Sequence, residues 1–381
     1  MWRHAASNAI TLLFFASLAA ILAFWLGERI YENEGPLENA IYFEVPKGSS
    51  IGEVAQALAN RGAISSKAVF RLGAKYWHTG EGPKFGSYEI PAGASMAAIL
   101  DIVTTAGPRV YRYRLSYRIG SDGASATLYD RIPDGGRDIQ IVKFGARDPL
   151  PSEFLEVANS GVPIDFRVAV PEGLSSWQIA EGLRLAHFLS GEIEEVPPEG
   201  SLAPDTYQVE EGSSRKSLLE IMANSQTRIL EEEWQSRAQN LPIESKEQAL
   251  ILASIIEKET GLADERSIVS SVFVNRLKAG MRLQTDPAVI YGITKGRGSL
   301  GRGLRVSELE RETPYNTYKI KGLPPTPIAN PGRLAIRAAL QPADTNYLYF
   351  VADGKGGHRF ATNYRDHRRY VQQWRESESN R

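Results

Sequence analysis

Cysteine is absent from this 381-residue chain, which excludes disulfides, thiolate metal sites and thiol nucleophiles together. Histidine is scarce: His4, His78, His187, His358 and His367 are scattered, with no His-Glu-x-x-His pair. No metal and no cofactor are expected on that ground. An excess of either charge is also missing. Lys plus Arg number 44 and Asp plus Glu 45, a net charge of −1. No long basic run offers a nucleic acid a footing, whereas a neutral polymer suits such a surface. The length allows roughly two to three domains.

Long apolar runs are missing too, with one exception. Residues 9–27 carry no charge and include Ile10, Leu12, Leu13, Phe14, Phe15, Leu18, Ile21, Leu22, Phe24, Trp25 and Leu26. At about 1.5 Å per residue, a helix of this length crosses a roughly 30 Å hydrocarbon layer. Arg3 and His4 precede it, and Glu28, Glu32 and Glu34 follow. The positive side stays inside, so residues 1–8 form a cytoplasmic tail and the bulk of the chain lies across the membrane. The run exceeds a signal-peptide core and no clean small-x-small cleavage site follows. An uncleaved single-pass anchor is therefore expected, followed by a polar tether over 28–40.

A repeat comes next. Val45-Pro-Lys-Gly-Ser-Ser-Ile-Gly-Glu-Val-Ala-Gln-Ala-Leu58 matches Val170-Pro-Glu-Gly-Leu-Ser-Ser-Trp-Gln-Ile-Ala-Glu-Gly-Leu183, with Pro46 and Pro171 offset by 125 residues. Each copy reads as a strand, a Pro-x-Gly turn, a Ser cap and a helix, with Ile51, Val54, Ala55 and Leu58 on the inner face of the first. Phe85–Ser95 and Ala203–Ser213 supply a second half to each, making Tyr88 and Tyr207 equivalent. Two small strand-helix-helix-strand modules are expected, over 41–107 and 166–235. They resemble the LysM fold, which binds N-acetylated sugars. Between them, 108–165 reads as an inserted β-rich segment. Its stretch Tyr111–Arg118 alternates, with Tyr111, Tyr113, Leu115 and Tyr117 on one face and a solvated row of Arg112, Arg114 and Arg118 on the other.

The last part, 241–375 with a tail over 376–381, carries the chemistry. Ser245-Lys-Glu-Gln248 is a capping-box pattern that opens an apolar helix, and Gly261 is placed as its stop. The helix ends in Glu257-Lys-Glu259. An acid in an apolar setting holds its proton more tightly than in water, as a proton donor near neutral pH must. At about 100° per residue, Glu257 and Glu259 point roughly 200° apart, so one of them faces any given cleft. Glu257 shares a face with Leu250, Ala253 and Ser254, and Glu259 shares one with Leu252, Ile255 and Ile256. Both faces are apolar and geometry does not choose. Glu259 is nearer the end, where fraying would wet it, which tilts the assignment to Glu257. A second helix over 264–279 leads to Pro-bounded loops dense in Tyr, Asn and Gln. The candidate substrate contacts are Ser254, Asn275, Gln284, Asp286, Tyr291, Tyr315, Asn316 and Tyr318. Gly296-Arg-Gly-Ser-Leu-Gly301 fits a dinucleotide fingerprint without its strand-turn-helix context. Asp353-Gly-Lys-Gly-Gly357 reads as a hairpin turn rather than a phosphate cradle.

These strings resemble the endolytic murein transglycosylase family, also called MltG or YceG-like. The resemblance is carried by Leu252-Ala-Ser-Ile-Ile-Glu-Lys-Glu-Thr260, Val272-Phe-Val-Asn-Arg-Leu277, Gly280-Met-Arg-Leu-Gln-Thr-Asp-Pro287, Pro314-Tyr-Asn-Thr-Tyr318, Gly322-Leu-Pro-Pro325 and Tyr349-Phe-Val-Ala-Asp-Gly354. Residues 108–165 depart from its pattern. The resemblance implies an α+β chain with one N-terminal transmembrane helix, LysM-like modules and a C-terminal α+β catalytic domain. It implies a lyase in the inner membrane with its bulk in the periplasm. Such a lyase cleaves the β-1,4 bond between N-acetylmuramic acid and N-acetylglucosamine within nascent peptidoglycan strands, leaves 1,6-anhydro ends and so limits strand growth. Peptidoglycan is the implied partner, with its synthases as possible neighbours, and the family's catalytic acid is carried onto Glu257. Two alternatives stay open: a hydrolytic muramidase using Glu257 with Asp286, and a non-catalytic wall-binding scaffold.

Overall fold

The computed structural model describes residues 2–46, 48–78, 82–105, 110–133, 137–160 and 162–379. The side chains of 2–13, among them Arg3, His4, Ile10, Leu12 and Leu13, lie outside the described set, as do Lys47 and Pro108. The chain is a mixed α+β protein in two compact units. Unit one is Met1–Leu115, Thr127–Val142 and Leu150–Asp165; unit two is Ser116–Ala126, Lys143–Pro149 and Phe166–Arg381.

The first unit begins with α1 (Trp2–Glu32), which includes the 19-residue apolar stretch Phe14–Glu32. Then come β1 (Ile41–Val45), α2 (Ile51–Asn60), α3 (Lys67–Tyr76), β2 (Gly86–Ile90) and α4 (Met96–Thr104). The first repeat is thus strand-helix-helix-strand as read, with β1 and β2 antiparallel and Phe43 opposite Tyr88. Ser50 and Glu53 form a reciprocal capping box that starts α2, and Val54, Ala55 and Leu58 are buried. The free tether expected over 28–40 is not found. Helix α1 runs unbroken to Glu32, and Tyr31 is 5% exposed in the module's core. Tyr31 lies on Gly73, where an added Cβ would fall 2.2 Å from its ring. Beyond the helix, Gly35 N–H donates to Gly93 O at 3.0 Å and Gly93 N–H to Leu37 O at 2.9 Å. Tyr31 and Leu37 make the segment stick: both pack on that core.

Five strands follow the order β5-β4-β3-β6-β7: β3 (Tyr113–Gly120), β4 (Gly123–Asp130), β5 (Ile139–Gly145), β6 (Ile164–Ala169) and β7 (Thr206–Val209), with α5 (Ser152–Asn159) between β5 and β6. The segment 108–165, read as an insertion of its own, is divided between the two units. Along β3 the alternation holds, with Leu115, Tyr117 and Ile119 buried. The arginine row is not simply solvated. Arg112 grips Asp130 with two bonds of 3.1 and 3.0 Å, and Arg114 reaches Asp138 at 3.1 Å and Asp165 at 3.3 Å.

The second repeat spans β6, α6 (Ser176–Arg184), β7 and α7 (Arg215–Gln235). Val168 pairs with Tyr207 as Phe43 pairs with Tyr88, again 125 residues on for the first-strand partner. The two tyrosines are equivalent in chemistry also. Tyr88 O–H donates to Lys84 O at 2.8 Å, and Tyr207 O–H to Ala203 O at 2.7 Å. The second copy departs from the expected pattern because no counterpart of α3 forms among its described residues. Turns take its place, and the Arg215 guanidinium satisfies their carbonyls at Leu183, Ala186 and Gly191. A helix would have met that demand internally.

The remainder comprises α8 (Lys246–Glu259), α9 (Ala263–Lys278), α10 (Asp286–Thr294), α11 (Val306–Glu310), α12 (Arg333–Leu340), the hairpin β8 (Tyr349–Ala352) and β9 (His358–Ala361), and α13 (Tyr364–Ser379). Asp353 Oδ1 accepts the N–H groups of Lys355 and Gly357. Those donors close the hairpin turn and are not offered to a phosphate.

Candidate active site

Helix α8 is the centre of this region. Ser245 caps it, accepting from Gln248 N–H at 3.3 Å, while Gln248 reaches back to Glu244 N–H at 2.8 Å. Ala249 and every residue from Ile251 to Ile256 are buried, against α9 and α12 among others. A helix that is apolar all round belongs in a core. Its end does not fray: Thr260 is 4% exposed, adopts extended backbone and donates to Ile256 O at 3.2 Å. The stop is therefore Thr260 and not Gly261, and water does not wet the last turn as the sequence suggested.

The two-residue spacing sends the paired acids into different surroundings. Glu257 enters an ion-pair network, with its side chain 5% exposed. One oxygen lies 3.5 Å from Arg266, which also reaches Glu172 at 3.3 Å, and the other accepts Gly332 N–H at 3.0 Å. Gly332 is required there, since a Cβ would sit 1.7 Å from the Glu172 carboxylate. The Pro-x-Gly turn of the second repeat closes over this network. Gly173 N–H donates to Asn330 O at 3.0 Å, and Lys258 donates to Gly173 O at 3.2 Å. Burial raises the Glu257 pKa and the neighbouring Glu172 charge adds to it, against the pull of Gly332 N–H and Arg266.

Glu259 turns to a cavity of about 500 Å³. Its Oε1 accepts the Thr285 hydroxyl at 2.5 Å. Burial holds its pKa up and the Asp286 charge reinforces this, with Thr285, His358 and Arg276 opposing. Gln284, Asp286 and Tyr318 line the same cavity, joined by Arg276, Tyr349, Phe350, His367 and Trp374. Tyr318 O–H donates to Asp286 Oδ1 at 2.7 Å. Gln284 sits at φ 52°, a left-handed conformation that costs energy outside glycine and is held by Gln284 N–H donating to Thr317 O at 3.1 Å. Thr317 also bonds Thr285 in both directions, at 2.9 and 3.0 Å, fixing the residue that holds Glu259.

The other sequence candidates are occupied elsewhere. Ser254 is buried, donating to Ile251 O and accepting Ile328 N–H. Asn275 donates to the carbonyls of Thr345 and Tyr347. Asn316 is fully buried, and its amide serves the carbonyls of Glu308, Leu309 and Arg311. Tyr291 donates to Glu199 at 3.1 Å and packs against Tyr315, whose hydroxyl meets Thr326. These five support loops, and none is among the described residues lining the Glu259 cavity.

Sequence reasoning missed Arg276, Thr285, Tyr349 and His367. Arg276 is buried and pins the cavity wall through Leu348 O and Leu283 O, both at 2.7 Å, with its guanidinium over the Tyr349 ring. His367 stacks on the Tyr349 ring, at 5.1 Å and 22°. Burial and the charge of Arg276 lower the His367 pKa, which favours the neutral imidazole. Its Nδ1 is buried with no hydrogen-bond partner among the described residues. Arg276, Thr285 and Tyr349 stood inside quoted strings, but no local spacing marks any of them as functional.

The profile of the YceG-like family matches residues 149–373, more than half of the chain. An endolytic murein transglycosylase of Bacillus subtilis is 29% identical over 348 residues, covering 91% of this chain and 88% of the relative. One from Streptococcus pneumoniae is 26% identical over 384 residues, covering 97% of this chain and 65% of the longer relative. Among solved structures, a putative yceG-like protein from Listeria monocytogenes aligns with a TM-score of 0.45 at 25% identity, over 87% of this chain and 99% of that one. The chain belongs to the YceG-like family.

Proposed function

We propose that this protein is a membrane-anchored lytic transglycosylase that cleaves the β-1,4 bond between N-acetylmuramic acid and N-acetylglucosamine inside peptidoglycan strands, with Glu259 as the catalytic acid. This moves the role from Glu257 to the second acid of the pair. The observation that carries it is the cavity: burial raises the pKa of both acids, and of the two it is Glu259 that lies on the wall of an open cavity with Gln284, Asp286, Tyr318 and Tyr349. Both oxygens of Glu257 are engaged by Arg266 and Gly332.

One acid suffices for this chemistry. Protonated Glu259 gives its proton to the glycosidic oxygen as the bond to the anomeric carbon breaks. The muramic C6 hydroxyl attacks that carbon, and the Glu259 carboxylate takes the hydroxyl proton. The products are a 1,6-anhydro end and a free 4-hydroxyl, with no water consumed. Intramolecular attack gains from proximity, and a raised acid pKa keeps the proton available near neutrality. The Tyr318–Asp286 pair, Gln284 and the Trp374 ring supply polar and stacking contacts to the sugars. The apolar stretch of α1 fits a single-pass anchor in the inner membrane, with the bulk of the chain in the periplasm, because the end of α1 is built into the folded module. Glycan being made at that membrane is the substrate within reach, and its synthases are the neighbouring proteins. The LysM-like repeats serve as sugar-binding or spacing modules, the second using its Pro-x-Gly turn to brace α8.

A second reading, a hydrolytic muramidase, draws on Asp286, which shares the cavity with Glu259 and offers the second carboxylate that water activation uses. Incubating the full chain in detergent with purified sacculi and analysing the products by mass spectrometry separates the readings. Anhydro ends are expected. Reducing ends would move the assignment to hydrolysis, and no products at all would leave a scaffold.

A further inference from the structure

Helix α3 ends against the membrane-spanning segment. The Trp77 ring lies 5.1 Å from Phe24 and 5.1 Å from Tyr31, and its edge is 3.5 Å from where a Cβ on Gly27 would stand. Phe24 precedes the end of the charge-free run by three residues, about 4–5 Å along the helix axis. A ring packed at that level cannot stand clear of the bilayer that α1 crosses. The turn before it exposes two large apolar side chains, Leu72 at 49% and Tyr76 at 60%. They are four residues apart and so share one helix face. Arg71 and Lys75 form a neighbouring exposed pair with the same spacing, Lys75 lying over the Tyr76 ring at 5.1 Å. Aromatic and long apolar side chains flanked by cations match the boundary between acyl chains and anionic headgroups.

We infer that the C-terminal turns of α3 are seated in the lipid headgroup layer, with Leu72 and Tyr76 toward the acyl chains and Arg71 and Lys75 at the phosphates. The first module is then a membrane-surface domain held at two points, the α1 span and this face. The inference rests on the reading of α1 as an anchor, and two features of the chain make both testable in one experiment. It has no native cysteine, and the positions concerned are exposed, so substitution there is tolerated.

The test uses full-length Leu18→Cys, Asn60→Cys, Leu72→Cys and Tyr76→Cys, each carrying a nitroxide label, in vesicles of phosphatidylethanolamine and phosphatidylglycerol. Broadening by a water-soluble nickel chelate is compared with broadening by oxygen. Labels at 18, 72 and 76 are expected to lose the nickel effect and gain the oxygen effect relative to position 60. Nickel broadening at 72 and 76 equal to that at 60, with 18 protected, would overturn the docking and leave the anchor standing. Nickel access at 18 as well would remove the anchor reading and this inference with it. Protection at 72 and 76 that persists in lipid-free detergent, with spin–spin broadening between copies, would assign the face to a second chain and also overturn it.

Discussion

Exchanging each acid of the Glu-Lys-Glu pair for its amide tests the two jobs proposed for positions two apart on one helix. Glu259→Gln keeps size and polarity and removes the transferable proton. A positioned general acid contributes about 10²–10⁴-fold, or roughly 3–5 kcal/mol of barrier, and that much rate is expected to disappear. Stability should respond in the opposite sense. Burial raises the Glu259 pKa above its ordinary 4.5, so folding favours the protonated form. That contribution is full below the unfolded-state value and is lost as pH rises through the folded-state value. The amide cannot ionise and escapes the loss, so the variant should melt at or above the wild-type temperature at pH 7–8. Wild-type activity should likewise decline as pH rises through the folded-state value of Glu259. Glu257→Gln should leave the rate largely intact; burial raises the Glu257 pKa as well, so this amide also escapes an ionisation cost, and what it gives up is the Arg266 ion pair. Gln can still accept Gly332 N–H, while Arg266 keeps Glu172 at 3.3 Å. The cost is therefore expected at about 1–3 kcal/mol, below the roughly 3–5 for breaking an isolated buried pair. Anhydro ends released from sacculi, counted per folded molecule by mass spectrometry, and calorimetric Tm values read the two effects separately. If Glu259→Gln retains near wild-type release while Glu257→Gln loses it with an unchanged Tm, the assignment is refuted.

Asp286→Asn can still accept from Tyr318, so anhydro ends should persist at a reduced rate; their replacement in the wild type by reducing ends that Asn abolishes would instead indicate hydrolysis. His367→Phe keeps the stack on Tyr349 and removes the unpartnered nitrogen, and should weaken turnover or KM by up to about tenfold, near 1.4 kcal/mol, with little change in Tm. Gly332→Ala must displace the Glu172 carboxylate and is expected to cost about 1–3 kcal/mol in denaturant unfolding. Gly73→Ala drives a methyl into the Tyr31 ring and should destabilise the first module by a similar amount, seen as faster amide exchange in α3.

Patterns with a short period were readable in the sequence. The Ser caps of the two repeats, Ser50 and Ser175, the 125-residue offset and the matching tyrosines followed from local spacing, and local rules built them. The buried stripe of β3 and the self-closing turn at Asp353 did as well. What local spacing could not carry was the choice between two acids that both sit on apolar faces. That choice depends on Arg266, Gly332 and Glu172 meeting one carboxylate, and Thr285 the other, across many intervening residues. Polar type alone was also a weak guide, because Asn275 and Asn316 look like sugar contacts in a string, yet Asn275 serves the carbonyls of Thr345 and Tyr347 far along the chain and Asn316 those of the turn just before it. The tether failed for a similar reason: a polar average over 28–40 conceals Tyr31, and one well-placed ring is enough to fasten the segment.

The seating of Phe24, Gly27 and Tyr31 on α3 makes this stretch intolerant of changes in length. Adding or deleting a single residue between Phe24 and Tyr31 would swing everything after it by about 100° around the helix axis and carry Tyr31 off Gly73. The joint between α1 and the first module is thereby indexed like a keyed shaft, with its angular setting fixed by two rings and a glycine.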